Sequence, residues 1–203
     1  MELKDRILAE ADDLFCKYGI KRITMDDIAK QLGMSKKTIY QHFKDKNELA
    51  YVLFKNNFEN HKKVMDANRE LSANAVDEVF LVVTHLHAML SKMNPMVFYD
   101  LQRYHPDVWA LFKDFRLTYM KDCILQNLKR GVEEGLFRKS LKFEIIALLR
   151  IEQVDMIFNQ IVFPPGKFMI SEVMAEITEH YLYGLCTLKG HKLINQHKQL
   201  TEE

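Results

Sequence analysis

Apolar and polar positions follow the period of an α-helix through most of this chain. Ile7, Leu8, Ala11, Leu14, Phe15 and Tyr18 share one side, which predicts an amphipathic helix from Leu3 to Tyr18 ending at Gly19. A shorter stripe, Ile28, Ala29 and Leu32, follows Thr24, with Asp27 three residues on to complete a cap. Gly33 allows a turn with positive φ. Ser35 caps a third helix to about residue 42, with Ile39 and Phe43 facing inward. Asp45, followed by Glu48, opens a fourth that runs through Tyr51, Val52, Phe54 and Phe58 to about Arg69.

Past Asn74 the helices lengthen. One spans about 75–93, with Val76, Val79, Phe80, Val83, Leu86, Leu90 and Met93 on one face. Pro95 opens the next, and a single long helix is predicted over 106–134, ended by Gly135. A helix over 142–163 stops at Pro164, Pro165 and Gly166. Ser171 caps a last one to about 189, and 191–203 reads as a polar, loosely helical tail. No alternating run flanked by a tight turn predicts a strand, so the fold class is all-α with roughly nine helices.

Composition narrows the chemistry. The 203 residues are 48% hydrophobic with only 7 Gly and 4 Pro, which suits long helices and a substantial core. No uncharged apolar run reaches the length of a membrane span, and the first residues lack a signal-peptide core. Cys16, Cys123 and Cys186 fit neither a disulfide framework nor a zinc pattern, so buried free thiols in a reducing cytoplasm are expected. His85 and His87, two apart, diverge on a helix and cannot share a metal. Phosphate loop, nucleophile elbow and metal-binding His pair are all missing, so no enzyme, metal or cofactor is expected. The net charge of +1 hides a local bias: between residues 21 and 46, seven Lys and Arg stand against three Asp. Attraction to phosphate needs such a patch, not a basic protein.

Two short helices around a glycine turn, the second rich in polar, aromatic and basic residues, have the form of a helix-turn-helix DNA reader. The stretch from Thr24 to Leu49, with Gly33, Ser35-Lys36, Ile39-Tyr40, His42-Phe43-Lys44 and Lys46-Asn47-Glu48-Leu49, resembles the tetracycline-repressor-like (TetR) family of bacterial regulators. The resemblance covers about a quarter of the chain. It implies a DNA-binding domain over 1–46 and a helical effector-binding and dimerisation domain over 47–203. Where the family often has Gly or Arg, this chain has Lys37, which adds charge and leaves the helix intact.

Each residue of the reader then has an expected task. Ser35, Lys36 and Lys37 stand where free N–H groups favour phosphate. Thr24 and Lys46 clamp the DNA backbone on either side, and Tyr40 packs on sugar and phosphate. Thr38 and Gln41 are the candidates for base edges, through a thymine methyl and an adenine pair. His42 resembles the family's phosphate-contacting His. Thr24 and Ser35 would serve as caps without any DNA, and Tyr40 could pack on the first helix instead.

The remaining helices offer a regulatory body. Aromatic and thioether surface comes from Phe58, Phe80, Met89, Tyr99, Trp109, Phe112, Phe115, Tyr119 and Met156, with His85 and Asn159 as polar neighbours that could orient a ligand. Plain core packing explains the same residues. The last two long helices, through Ile151, Phe158, Val162, Val173, Ile177, His180, Tyr181 and Gly184, are by resemblance the surface on which two subunits pair as a four-helix bundle; burial of both inside one subunit is the alternative. The expected function is a ligand-responsive repressor that binds a palindromic operator in double-stranded DNA as a homodimer. A small, hydrophobic effector, its identity unknown, would release it. A DNA-binding structural or adaptor protein, its helical body holding a protein partner, is the alternative.

Overall fold

The computed structural model describes residues 2–164 and 166–198. The described chain is a succession of helices, with an isolated antiparallel bridge between Phe137 and Cys186. It divides into two compact units, residues 1–61 with 92–114, and residues 62–91 with 115–203.

The first unit opens with α1 (Leu3–Tyr18), which buries Ile7, Leu8, Ala11 and Phe15; Tyr18 is exposed despite its place on the stripe. α2 (Met25–Gln31) starts at a reciprocal cap: Asp27 N–H donates to Thr24 Oγ1 at 3.2 Å, and Thr24 N–H donates to Asp27 Oδ2 at 2.9 Å. It ends in a Schellman motif, with Gly33 N–H on Lys30 O, Met34 N–H on Ala29 O, and Gly33 at φ 65°. α3 (Lys36–Tyr40) follows, then α4 (Lys46–Leu71), whose first turn is held by Glu48 N–H on Asp45 Oδ1 at 2.8 Å.

The same unit takes in residues far away in sequence. α6 (Met96–Tyr104) and α7 (Pro106–Phe115) send Val97, Leu101 and Val108 into the core built by Phe15, Ile28, Ile39, Phe43 and Leu53. Asn94 N–H donates to Cys16 O at 2.7 Å, which satisfies a carbonyl near the end of α1. The buried carboxylate of Asp100 accepts the Lys21 N–H at 2.8 Å.

The second unit contains the end of α4, α5 (Ala75–Leu90), α8 (Lys121–Glu133), α9 (Phe143–Met156), α10 (Ile170–Leu185) and α11 (Leu188–His197). Its core gathers Val76, Leu128, Leu136, Phe137, Leu182, Leu185 and Ile194. Arg130 on α8 ties the α4–α5 corner: it donates to Ser72 Oγ at 2.6 Å, Glu78 at 3.1 Å and Glu134 at 2.8 Å. Gly131 lets the Phe137 ring lie against α8, since a Cβ there would come within 2.0 Å of it.

Helix limits differ from expectation at several places: α5 ends at Leu90 instead of about 93, and α10 starts at Ile170 with Met169, not Ser171, as its N-cap. The predicted helix over 106–134 is interrupted by a π-helical segment, Arg116–Met120, between α7 and α8. α9 stops at Met156, short of the predicted 163, where Asn159 Oδ1 accepts Ile161 N–H at 3.0 Å and so competes with helical pairing. The last predicted helix breaks at Cys186, which is extended (ψ 152°) because Thr187 N–H pairs with Leu136 O at 2.8 Å. Thr187 then caps α11 through Gly190 N–H. The predicted tail is helical to His197, and its end at 199–203 lies outside the described residues.

Candidate functional site

α3 is a five-residue helix anchored at one end by a cap and beneath by its core residue. Thr38 N–H donates to Ser35 Oγ at 3.2 Å, and the two hydroxyls are 2.8 Å apart. Ile39 is fully buried, which fixes the rotation of the helix. Lys36, Lys37, Tyr40 and Gln41 are therefore exposed, with Thr38 and His42 half-buried beside them. Tyr40 is 44% exposed, a large ring left in water where Phe43, three residues on, is buried. α3 ends at Tyr40, with Gln41 as the C-cap residue and His42 after it, short of the predicted limit.

Charge on this surface is partly committed. Lys36 Nζ lies 3.0 Å from Asp26 Oδ2, and that hydrogen bond raises the ammonium pKa above its usual range. Asp27, holding the Thr24 hydroxyl and N–H, has its pKa lowered for the same reason. Lys46 differs most from expectation. Its Nζ donates to Ile23 O at 2.9 Å, Ile20 O at 3.1 Å and Lys21 O at 3.4 Å, and burial lowers its pKa. In the free protein this ammonium braces the α1–α2 loop from within.

The second unit contains a cavity of about 80 Å³ between α4, α5, α8, α9 and α10. Met65, Val79, Val82, Val83, Cys123, Ile124 and Tyr181 make its apolar wall, and Arg69, Glu78, Asn127 and Arg150 add polar groups. The aromatic residues named as pocket candidates do not line it. Phe58, Trp109 and Phe112 form a ring cluster in the first unit, with centroids of Phe58–Phe112 at 6.0 Å and Trp109–Phe112 at 5.2 Å. Tyr99 is exposed on α6. Phe80 stacks on His197 at 4.4 Å, and Phe115 on Tyr119 at 5.7 Å. Tyr119 donates to Asp66 at 2.7 Å; His85 and Met89 are half-buried on α5; Met156 and Asn159 are exposed at the end of α9. Arg150 was legible as a single cation in the apolar run Ile-Ile-Ala-Leu-Leu-Arg-Ile, a signal that aromatic counting passes over.

The residues assigned to pairing also separate. Ile151, Val173 and Tyr181 are buried within the second unit, and Tyr181 reaches the cavity wall. Phe158 and Ile177 are half-buried, and Val162, His180 and Gly184 are exposed. α9 exposes a different apolar set, Ile145, Leu148 and Leu149.

A capped, rigidly seated helix presenting a ring, an amide and cations at the surface defines a helix-turn-helix DNA-binding protein. Residues 7–51 match the family model of bacterial regulatory proteins, tetR family. An HTH-type transcriptional regulator of Staphylococcus aureus (strain USA300) is 31% identical over 148 residues, 64% of this chain and 80% of that protein. The HTH-type regulator YvaF of Bacillus subtilis (strain 168) is 27% identical over 140 residues, 65% and 73% of the two chains. Among solved structures, a transcriptional regulator from Saccharomonospora viridis in complex with choline has a similar fold (TM-score 0.77, 18% identity, 91% and 97% covered). FadR from Bacillus subtilis in complex with stearoyl-CoA has it too (TM-score 0.67, 18% identity, 89% and 98% covered). The chain belongs to the TetR family of DNA-binding transcriptional regulators. No described helix is long and apolar enough to cross a membrane.

Proposed function

We propose that this protein is a ligand-responsive repressor that acts in the cytoplasm, binds a palindromic operator as a homodimer and is released by a small effector. Residues 1–46 do the reading; residues 47–203 sense the effector and pair the subunits. The observation that carries the reading is the exposed side of α3, where Tyr40, Gln41 and Lys37 stand clear of the core that holds Ile39. Thr38, Gln41 and Tyr40 are the residues to meet base edges and sugar; Ser35, Lys36, Lys37 and His42 meet phosphate. Asp26 must yield Lys36 to the DNA, an exchange between exposed partners that costs little.

One short helix reads too few base pairs for a genome, and a two-fold pair doubles the site. Ile145, Leu148 and Leu149 on α9, with Gly184 and His180 on α10, supply an exposed surface for that pairing. The cavity supports the sensing task, and proteins of similar fold are known with choline and with stearoyl-CoA bound. α4 contributes residues to both units, so a change of its tilt on ligand binding reaches the reader through one continuous helix.

Footprinting on genomic fragments, together with sedimentation of the free protein, tests this. One palindromic protected site and a dimer are expected. A monomer at working concentration, or equal grip on every duplex in dilute salt, would refute the reading.

A further inference from the structure

The cavity of the second unit holds a charge that its apolar wall does not explain. Arg150, midway along α9, is only 8% exposed. Its Nη2 donates to Thr178 Oγ1 at 2.9 Å, and its guanidinium lies 4.6 Å from the centroid of the Tyr181 ring. Its Nη1 is buried and has no hydrogen-bond partner. Among the described residues no carboxylate lies within ion-pair distance of it. The other charges on the wall are neutralised in place: Arg69 pairs with Asp66 at 2.9 Å, and Glu78 with Arg130 at 3.1 Å. The cavity therefore carries one uncompensated positive charge.

A guanidinium does not shed its proton to escape burial, so it calls for an anion. We propose that the cavity receives a small organic carboxylate, its head on the Arg150 guanidinium and its short aliphatic body against Met65, Val79, Val82, Val83 and Ile124. The inference rests on the reading of this unit as the effector site. A single unpartnered guanidinium nitrogen suits a monoanion; a phosphate dianion would set further oxygens against the valines. The volume of about 80 Å³ favours a short chain, being smaller than the roughly 150 Å³ that admits benzene. Asn127 adds a second unmet group on the same wall: its Nδ2 is spent on Ala75 O, while its Oδ1 is buried without a partner and would accept a hydroxyl on the acid.

Calorimetry and thermal unfolding of the full chain with butanoate, and with its neutral counterpart butanamide, test the proposal. Butanoate is expected to raise Tm and to bind about tenfold more tightly than butanamide or better, the worth of a charge-assisted hydrogen bond. Arg150→Met replaces an unpaired buried charge with an apolar chain and is expected to fold, bind operator and lose that preference. Equal binding of the two probes, binding of neither, or an undiminished preference in the variant overturns the proposal. If the variant does not fold, the comparison of probes on the unaltered protein decides alone. The effector reading fails separately: butanoate would bind with its charge preference yet leave operator affinity unchanged.

Discussion

Lys46 lies at the start of α4 in a basic stretch, and its chemistry is nonetheless internal. Its three carbonyl partners, Ile20, Lys21 and Ile23, belong to the loop between α1 and α2. Lys46→Ala removes that donor and leaves the part-buried Ile23 carbonyl without it, while Ile20 O keeps the Ile23 N–H, so a stability loss of about 1–3 kcal/mol is expected in urea unfolding. Operator affinity falls with it, while the salt slope stays as it was. Lys37→Ala is the contrast: an exposed cation without the fold to hold up, whose removal reduces the salt slope by about one. Gln41→Ala should change preference among operator variants by roughly 1–3 kcal/mol at one base pair. Equal losses on all sequences, measured by anisotropy titration, would remove Gln41 from base reading. At this scale the sequence told residue type and local company, and these placed Tyr40 and Gln41 at the surface. It could not tell that Lys46 folds back over carbonyls about two dozen residues earlier, nor that Arg150 is left without an acid, because both depend on tertiary neighbours.

Element ends separate into those set locally and those set from a distance. Thr24 with Asp27, Ser35 with Thr38, Asp45 with Glu48, and Gly33 at positive φ all act within a few residues, and the sequence displays them in full. The break at Cys186 is imposed by Leu136, some fifty residues away, so helical period alone runs straight through it. The π segment at Arg116–Met120 is likewise silent in a pattern that reads as one continuous stripe. Local caps make a sharp prediction. Thr24→Ala is expected to cost about 1 kcal/mol in thermal unfolding. The variant also removes the larger of two holds on Asp27, whose carboxyl is held low by the Thr24 hydroxyl first and the Thr24 N–H second. A depressed carboxyl stabilises the fold above its unfolded value of 3.8 and loses that contribution as pH falls through the folded value. The variant should accordingly titrate Asp27 closer to 3.8 and show a smaller acid-induced loss, followed by carbon-detected NMR of the carboxyl.

For the whole molecule, pH dependence and pairing bear on operation in the cell. His105 is buried in the first unit with its Nδ1 unpartnered, and burial first, Lys46 second, lower its pKa below 6.5, against a smaller opposing pull from Asp100. A depressed imidazole is neutral in the fold while the unfolded chain takes the proton, so stability is lost as pH falls from 6.5 toward the folded value. His105→Gln should flatten the urea midpoint between about pH 7 and pH 5.5, and an unchanged slope would assign that acid sensitivity elsewhere. The pairing prediction follows from surface that one subunit cannot cover. Leu148 is 46% exposed and Leu149 52% exposed, adjacent on a helix whose opposite side holds Ala147, Arg150 and Ile151 inside. A two-fold interface meets itself, so one substitution places two like charges close together in a drying contact. Leu149→Glu is expected to leave helical content unchanged, convert the dimer to monomers at micromolar concentration, and weaken operator binding far more than binding to random duplex. The asymmetry is the informative part: a single reader keeps its phosphate contacts and loses only the gain from a second half-site. A variant that stays dimeric by sedimentation would move the pairing surface off α9 and leave its exposed leucines to be explained by another partner.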